Sequence, residues 1–415
     1  MNVKFINARI LGEVDLKQLY IKGNIIHKIS NIIQEPADRV IDLKGKLLMS
    51  GFVNAHCHNP MTLLRGIKDD VNLQTWLFDY MFPNEAKLSE EDLYYGELLG
   101  IAESIRSGIT CIEENYFSCQ GNIEAIKKSK IRARFGITTE RESDDFVKDF
   151  DECLISLKDS NLIVPSIFIH SIYTTSEQEI MEQTAYAKAH NLPVSIHLSE
   201  TLEEVGECMT KHNQTPVEYL ESLGFFDRPA TAYHCVHMDK DDVKILADYN
   251  VNVVTCPSSN LKLGSGIAPV QTFLENGINV ALGTDGPASN NSLDMFKEMY
   301  LCSCLQKAHF YDSSVVSASQ TLKIATENGA KMMGFKSGII KEGYLADLIV
   351  VDINKLHYYP CDNMESNLVY AGRADDVVLT MVNGEILYEN GKFNLGFDLD
   401  YVIKKCFEIR KRLEK

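Results

Sequence analysis

The sequence predicts an α/β protein: a (β/α)8 TIM barrel carrying a small composite β-sandwich domain built from both ends of the chain. Three observations predict it. Eight short β-rich runs recur between residues 51 and 285, and amphipathic stretches separate most of them. Strand-like pieces at the N-terminus are matched by similar pieces near the C-terminus.

The first fifty residues read as short strands: "VKFINARIL", "DLKQLYIKGNIIHKIS" and "RVIDLKGKLLM", with Gly23-Asn24 and Gly45 as turn residues. The barrel runs follow. The first is the apolar segment that ends at His56; then come "GITCIEEN", "RARFGITT", "VPSIFIH", "LPVSIHL", "ATAYHCVH", "VNVVTCP" and "INVALGTD". Between them lie helical patterns such as "SEQEIMEQTAYAKAHN" and "DKDDVKILADYN". "GYLADLIVVD" and "DVVLTMVNGEILYENGKF" return to strand character, and Asn383-Gly384 between apolar runs is a hairpin signal. These boundaries give a discontinuous β-sandwich domain over 1–50 and 340–397, a barrel over 51–339, and a C-terminal helix over 398–415. In that last stretch Val402, Ile403, Cys406, Ile409 and Leu413 form an apolar stripe that packs on the barrel or on a neighbour.

Length and composition fit this reading. A chain of 415 residues with 45% hydrophobic and 24% charged residues is a globular protein large enough for two domains. Its formal charge is 41 − 58 = −17, which disfavours nucleic acid and anionic membranes as partners. "MNVKFINARILGEV" alternates like a strand, unlike a signal peptide, and no apolar run approaches the length of a membrane span. The eleven cysteines contain no CxxC pair, and several sit inside apolar runs, so a reducing cytoplasm is the expected location.

The C-terminal ends of barrel strands converge on one site. Six of the eleven histidines fall at or just past predicted strand ends: His56, His58, His170, His197, His234 and His237. Glu200 follows His197 by three residues, and Asp285 ends the last run inside "GTDGPASNNS". Imidazoles with a carboxylate suit zinc with one position left for water, whose pKa falls from about 15.7 to about 7 on binding. Glu200 is placed to move protons as base and then acid. Asp285 can bind the metal and orient the resulting hydroxide, and His234 can hydrogen-bond the hydroxide or the developing tetrahedral centre.

These segments resemble the amidohydrolase superfamily: "HCH" after "MSGFVNA", then "HLSE", "HCVH", "NLKLGSGIAPV" and "LGTDGPASNNSLDMF". More narrowly, "TWLFDYMFPNEAKLSEEDLYYG" and "NNSLDMFKEMYLCSCLQKA" are similar to the methylthioadenosine/S-adenosylhomocysteine deaminases. The resemblance implies one catalytic metal bound by His56, His58, His197 and Asp285, proton shuttling by Glu200, and a catalytic role for His234. It also implies that Glu85 and His170 contact the substrate. Glu85 can accept two hydrogen bonds from a ribose diol, or be an ordinary carboxylate at a helix N-terminus; Trp76, the single tryptophan, can close over a base or be core.

Two positions depart from the family pattern. Ser50 stands where proline is usual. The family places an arginine near the end of strand 3 to meet a charged substrate tail; here Arg134 and Arg141 are the candidates, neither aligns cleanly, and Arg141 is preferred. The expected activity is hydrolytic deamination of methylthioadenosine, 5′-deoxyadenosine, adenosine or S-adenosylhomocysteine, by attack of metal-bound hydroxide on C6 with release of ammonia. The expected metal is zinc, with iron or manganese as substitutes, and the family makes a homo-oligomer plausible. A related hydrolase of guanine, a pterin or a triazine would use the same machinery. A binuclear cyclic-amide hydrolase wants a carboxylated lysine where this chain has His170. A metal-free binding protein on the same fold would be expected to have lost a member of the set, and none is missing.

Overall fold

The structure is a computed structural model and describes residues 1–117, 119–139, 145–360 and 362–414. Five strands open the chain: β1 (Val3–Ile10), β2 (Lys17–Lys22), β3 (Ile25–Ser30), β4 (Arg39–Asp42) and β5 (Leu47–Ser50). Eight more form the barrel: β6 (Phe52–Cys57), β7 (Ile109–Asn115), β8 (Arg132–Ile137), β9 (Ile163–Ile169), β10 (Val194–Leu198), β11 (Ala230–His234), β12 (Asn252–Thr255) and β13 (Val280–Leu282). Four close the chain: β14 (Leu348–Val351), β15 (Val377–Val382), β16 (Glu385–Glu389) and β17 (Lys392–Phe393).

Strands β6 to β13 pair in parallel in sequence order, each with the next. Helices cross between them, among them Glu90–Arg106, Cys119–Ser129, Phe146–Leu157, Glu177–Ala189, Leu202–His212 and Lys240–Asp248, and Met295–Phe310 follows the last strand. Their starts follow from the sequence. Ser89, Ser176 and Asp239 each form a capping box with the acidic residue three positions on. The eight runs read from the sequence are these eight strands, each matching to within a few residues.

The barrel is nearly closed. Between its first and last strands a single bridge links Cys57 and Asp285. Asn54 strengthens this seam with its side chain, accepting from Thr284 N–H at 2.9 Å and donating to Thr284 Oγ1 at 2.8 Å. The strands meet closely there: a Cβ on Gly283 would stand 2.8 Å from His56 Cβ. Val53, Cys111, Phe168, Tyr233, Val254 and Ala281, from six different barrel strands, share one cluster with Ala330, Met332 and Met333, so the segment around helix Glu327–Met332 packs against the barrel interior.

The chain ends meet in a second sheet, in which β5 pairs antiparallel with β14 and β1 runs between both groups. β1 pairs with β2 and β4 near its start and with β5 at its end. Between these pairings Asn7 takes a left-handed conformation, φ 53°, and the register shifts, so the strand passes from one group of partners to the other. Val3, Phe5, Leu19 and Ile26 pack with Leu48, Leu348, Val350 and Met381 in the core enclosed this way. The Asn383-Gly384 hairpin forms between β15 and β16 with φ 52° and 78°, as a two-residue turn of this type requires. Arg132, at the start of β8, joins barrel to sheet through Asp347 at 2.6 and 3.1 Å. The helix Leu399–Leu413 covers Glu90–Arg106, burying Val402, Cys406, Ile409 and Leu413.

Candidate active site

β6 carries His56 and delivers His58 just beyond its end; β10 carries His197; β11 ends on His234; Asp285 follows β13. All five are buried. Four residues that shape these turns lie in the left-handed region: Ser199 at φ 49°, His234 at 70°, Cys235 at 47° and Asp285 at 63°. Such conformations in non-glycine residues cost about 1–3 kcal/mol each and persist where surrounding structure imposes them.

The donor atoms lie close together. His56 Nε2 is 3.5 Å and His58 Nε2 3.4 Å from Asp285 Oδ1, and His197 Nε2 is 3.2 Å from His56 Nε2. His56, His58 and Asp285 form one group with donor atoms within 4.8 Å of one another, and His56, His197 and His234 form another. Each ring is held from its far side. His58 Nδ1 meets the Asn115 carbonyl oxygen, His197 Nδ1 meets the His170 carbonyl oxygen at 2.9 Å, and His234 Nδ1 meets Asn260 Oδ1 at 2.8 Å. Asp285 Oδ2 accepts from Ser259 at 2.5 Å and Ser289 at 2.8 Å, which leaves Oδ1 to the histidines.

Burial pushes His56 down to about 3, and pushes His58 and His197 down as well, so these imidazoles are neutral and keep a lone pair. Burial alone would raise Asp285, but the hydrogen bond from His56 and the neighbouring histidines hold it well below the usual carboxylate range. Neutral imidazoles beside an ionised carboxylate are the donor set of a zinc site, so these residues fit the metal the sequence implies.

Glu200 sits two residues past β10. Burial raises its pKa against the pull of His234, whose Nε2 lies 3.8 Å from Glu200 Oε2, and Ser265 donates to Oε1 at 3.3 Å. Burial lowers His234, but Glu200 and Asp285 outweigh it and the net shift is upward. Glu204 fixes this turn: its two oxygens accept the N–H groups of Ser199 and Glu200, each at 2.8 Å.

A cavity of about 560 Å³ opens beside the histidines, with His58, Glu85, Tyr116, Phe168, His170 and Gln183 among its lining residues. Glu85 is 3% exposed and accepts from the Tyr116 hydroxyl. Gln183 is buried, and its Oε1 has no hydrogen-bond partner.

The sequence-based candidates separate here. His56, His58, His197, His234, Asp285 and Glu200 come together, and Glu85 and His170 line the adjoining cavity. Trp76 is not on the cavity wall; it packs in a core cluster with Leu73, Leu77 and Met81, because the helical segment Trp76–Met81 presents Leu77 to the cavity instead. Arg134 is committed elsewhere: it points at Glu113, 2.7 Å from Nε and 2.5 Å from Nη2. Arg141 lies outside the described residues. The sequence reading missed Asn115, Glu204, Ser259, Asn260, Ser265 and Ser289. The signal for the serines and Asn260 was faint: small polar residues clustered after strands, as in "PSSN" after β12; Asn115, inside β7, and Glu204, inside the helix Leu202–His212, carried none.

Comparison with known proteins identifies the family. The amidohydrolase family model matches residues 47–387. A 5′-deoxyadenosine deaminase of Methanocaldococcus jannaschii is 40% identical over 405 residues, covering 95% of this chain and 96% of that protein. A 5-methylthioadenosine/S-adenosylhomocysteine deaminase of Acetivibrio thermocellus is 42% identical over 384 residues, covering 91% of this chain and 89% of that protein. Among solved structures, an adenosine deaminase from Xanthomonas campestris with bound zinc superposes with a TM-score of 0.94 at 30% identity, covering 100% of this chain and 98% of that one.

Proposed function

The chain belongs to the amidohydrolase family, and from that premise we propose a metal-dependent hydrolase that removes the 6-amino group of an adenine nucleoside as ammonia. The observation that carries the reading is the convergence of five metal-competent side chains and Glu200 beside an apolar cavity with Glu85 on its wall.

In this reading His56, His58, His197 and Asp285 hold the metal, and zinc is the ion that suits them. Zinc bound there supplies a nucleophilic oxygen at neutral pH by lowering the pKa of water to about 7. Glu200 takes the proton of the attacking water and returns it to the leaving amine. Its raised pKa suits a group that must both accept and donate near neutrality. His234, paired with Glu200, keeps a proton more readily than the other site histidines and hydrogen-bonds the oxygen that adds at C6. Phe168 and the apolar wall pack against the purine, His170 meets its edge, and Glu85 accepts from the ribose hydroxyls. Trp76 backs this wall from the core, and Arg141 stays the candidate for a charged substrate tail. The partners proposed are a small-molecule nucleoside and further copies of the same chain.

The test is ammonia release from adenosine, 5′-deoxyadenosine, methylthioadenosine, S-adenosylhomocysteine, guanine and a chlorotriazine. Ammonia from the adenine nucleosides alone is the expected result. Turnover of guanine or the triazine with no adenine nucleoside deaminated overturns the nucleoside reading and leaves the same machinery working on another ring.

A further inference from the structure

We propose that Asn115, which shares the Tyr233 hydroxyl with a buried Glu113–Arg134 ion pair, is a positioning residue that decides which ring nitrogen of His56 carries the proton, and so how tightly the site binds metal. The proposal rests on the metal site read above.

A continuous buried chain of hydrogen bonds leads to His56. Arg134 clamps Glu113 with two hydrogen bonds and places further ones on Thr231 Oγ1 at 3.1 Å and the Met332 carbonyl at 3.0 Å. Glu113 Oε1 accepts the Tyr233 hydroxyl at 2.8 Å. The Tyr233 ring stacks on His56 with centroids 3.9 Å apart and planes 23° apart. Asn115 Nδ2 lies 3.1 Å from both the Tyr233 oxygen and His56 Nδ1. Neither Tyr233, Glu113 nor Arg134 lines the cavity, so none of the three is placed to meet substrate.

A neutral imidazole has one proton for two nitrogens. His56 Nε2 faces the other donors, so to ligate a metal it needs its lone pair, and Nδ1 must hold the proton and find an acceptor. His58 and His197 have this arranged permanently: their Nδ1 atoms meet main-chain carbonyls, which can only accept. His56 alone of the three faces a group that can either accept or donate. The Asn115 oxygen is buried and has no partner, while its nitrogen serves both neighbours. A half-turn of the amide puts that oxygen on His56 Nδ1. The Tyr233 hydroxyl then rotates from Glu113 to the same oxygen. The space is reserved: a Cβ on Gly136 would stand 2.1 Å from Asn115 Oδ1. Asn115 thus holds two ligands, His58 by its backbone and His56 by its side chain.

The test is zinc affinity, measured without substrate by competition against a chromophoric chelator. Asn115→Asp offers only acceptors, so it is expected to bind zinc about tenfold more tightly; Asn115→Leu offers none and is expected to bind about 10- to 100-fold more weakly. Tyr233→Phe is expected to fall between wild type and Asn115→Leu. ¹⁵N-histidine NMR of chelated Asn115→Asp is expected to place the His56 proton on Nδ1. Equal weakening in the Asp and Leu variants, or no change in either, overturns the proposal. If Asn115→Leu does not fold, the sign of the Asn115→Asp change and the NMR tautomer decide it. Wild-type protein that binds no zinc overturns the metal-site reading and this proposal with it. Stoichiometric zinc with the wrong order of variants overturns the proposal alone.

Discussion

Replacing Asn54 with leucine should loosen the barrel where it closes. Asn54 is fully buried and makes two hydrogen bonds to Thr284, one accepted from the backbone N–H and one donated to the hydroxyl. Leucine keeps the branched four-atom skeleton but is bulkier, so the change removes these bonds and adds some overpacking, which makes the hydrogen-bond loss a lower bound on the cost. It strands the Thr284 N–H, at about 1–3 kcal/mol for a buried unpaired donor. The Thr284 hydroxyl still donates to the Asp285 carbonyl at 3.1 Å, so losing its other bond costs about 1 kcal/mol. The expected loss is therefore about 2–4 kcal/mol. It falls one residue from Asp285, whose N–H bonds the His56 carbonyl at 3.0 Å across the same seam, so zinc affinity should fall with stability. The assay is urea unfolding of the chelated protein with zinc titration in parallel. Thr284→Val removes the hydroxyl arm and strands the Asn54 Nδ2–H, so it should cost about 1–3 kcal/mol, and the double variant should show a coupling of about 1 kcal/mol or more. A loss below about 0.5 kcal/mol with unchanged zinc affinity would refute the view that Asn54 closes the barrel.

Burial raises Glu298 from 4.5 to about 7 while its Oε2 accepts the Ser258 N–H at 3.0 Å. Between those values the unfolded chain has released this proton and the folded one keeps it, so stability falls as pH rises through the window. The drop is about 3 kcal/mol at about 1.36 per pH unit, and Glu298→Gln should flatten it in urea titrations across pH 4–8. Glu85→Gln should lower kcat/KM for adenosine about 10- to 100-fold but leave 2′,3′-dideoxyadenosine much less affected, if the carboxylate receives the diol. Gln183→Met should shift the kcat/KM ratio about three- to tenfold from adenosine toward 5′-deoxyadenosine, because the unpaired amide oxygen disfavours an apolar 5′ group. Removing zinc should lower the thermal midpoint, since an ion present at about 1,000 times its dissociation constant adds about 4 kcal/mol to the folded state.

What could be read from the chain was periodic or chemically loud. Runs such as "GITCIEEN" fall on β7 because apolar, β-branched stretches flanked by glycine have few other outcomes. The histidines stood out because imidazoles at successive strand ends have few structural uses. What escaped was everything fixed by partners distant in sequence. Arg134 looks like a free cation on a strand until β7 brings Glu113 against it. Ser259 and Ser289 look like loop serines until β12 and β13 bring both to one carboxylate oxygen. Trp76 was open to either a base contact or a core position, and the choice is a local matter of phase: adjacent residues on a helix point about 100° apart, and here Leu77 rather than Trp76 faces the cavity.

The pairing of β5 with β14 sets a timetable for synthesis. β5 ends at Ser50 and its partner begins at Leu348, so about 300 residues must be made before the pair can form. At about 5–20 residues per second, the ribosome leaves that edge and its apolar face uncovered for roughly 15–60 s. The barrel strands emerge in the order in which they pair and can assemble meanwhile, but Arg132 must wait for Asp347, 215 residues further on, roughly 10–45 s at the same rate. A newly made chain therefore passes through a stage with a formed barrel and an open N-terminal edge. That stage is where chaperone binding and aggregation should concentrate, and truncations before residue 348 should be trapped in it.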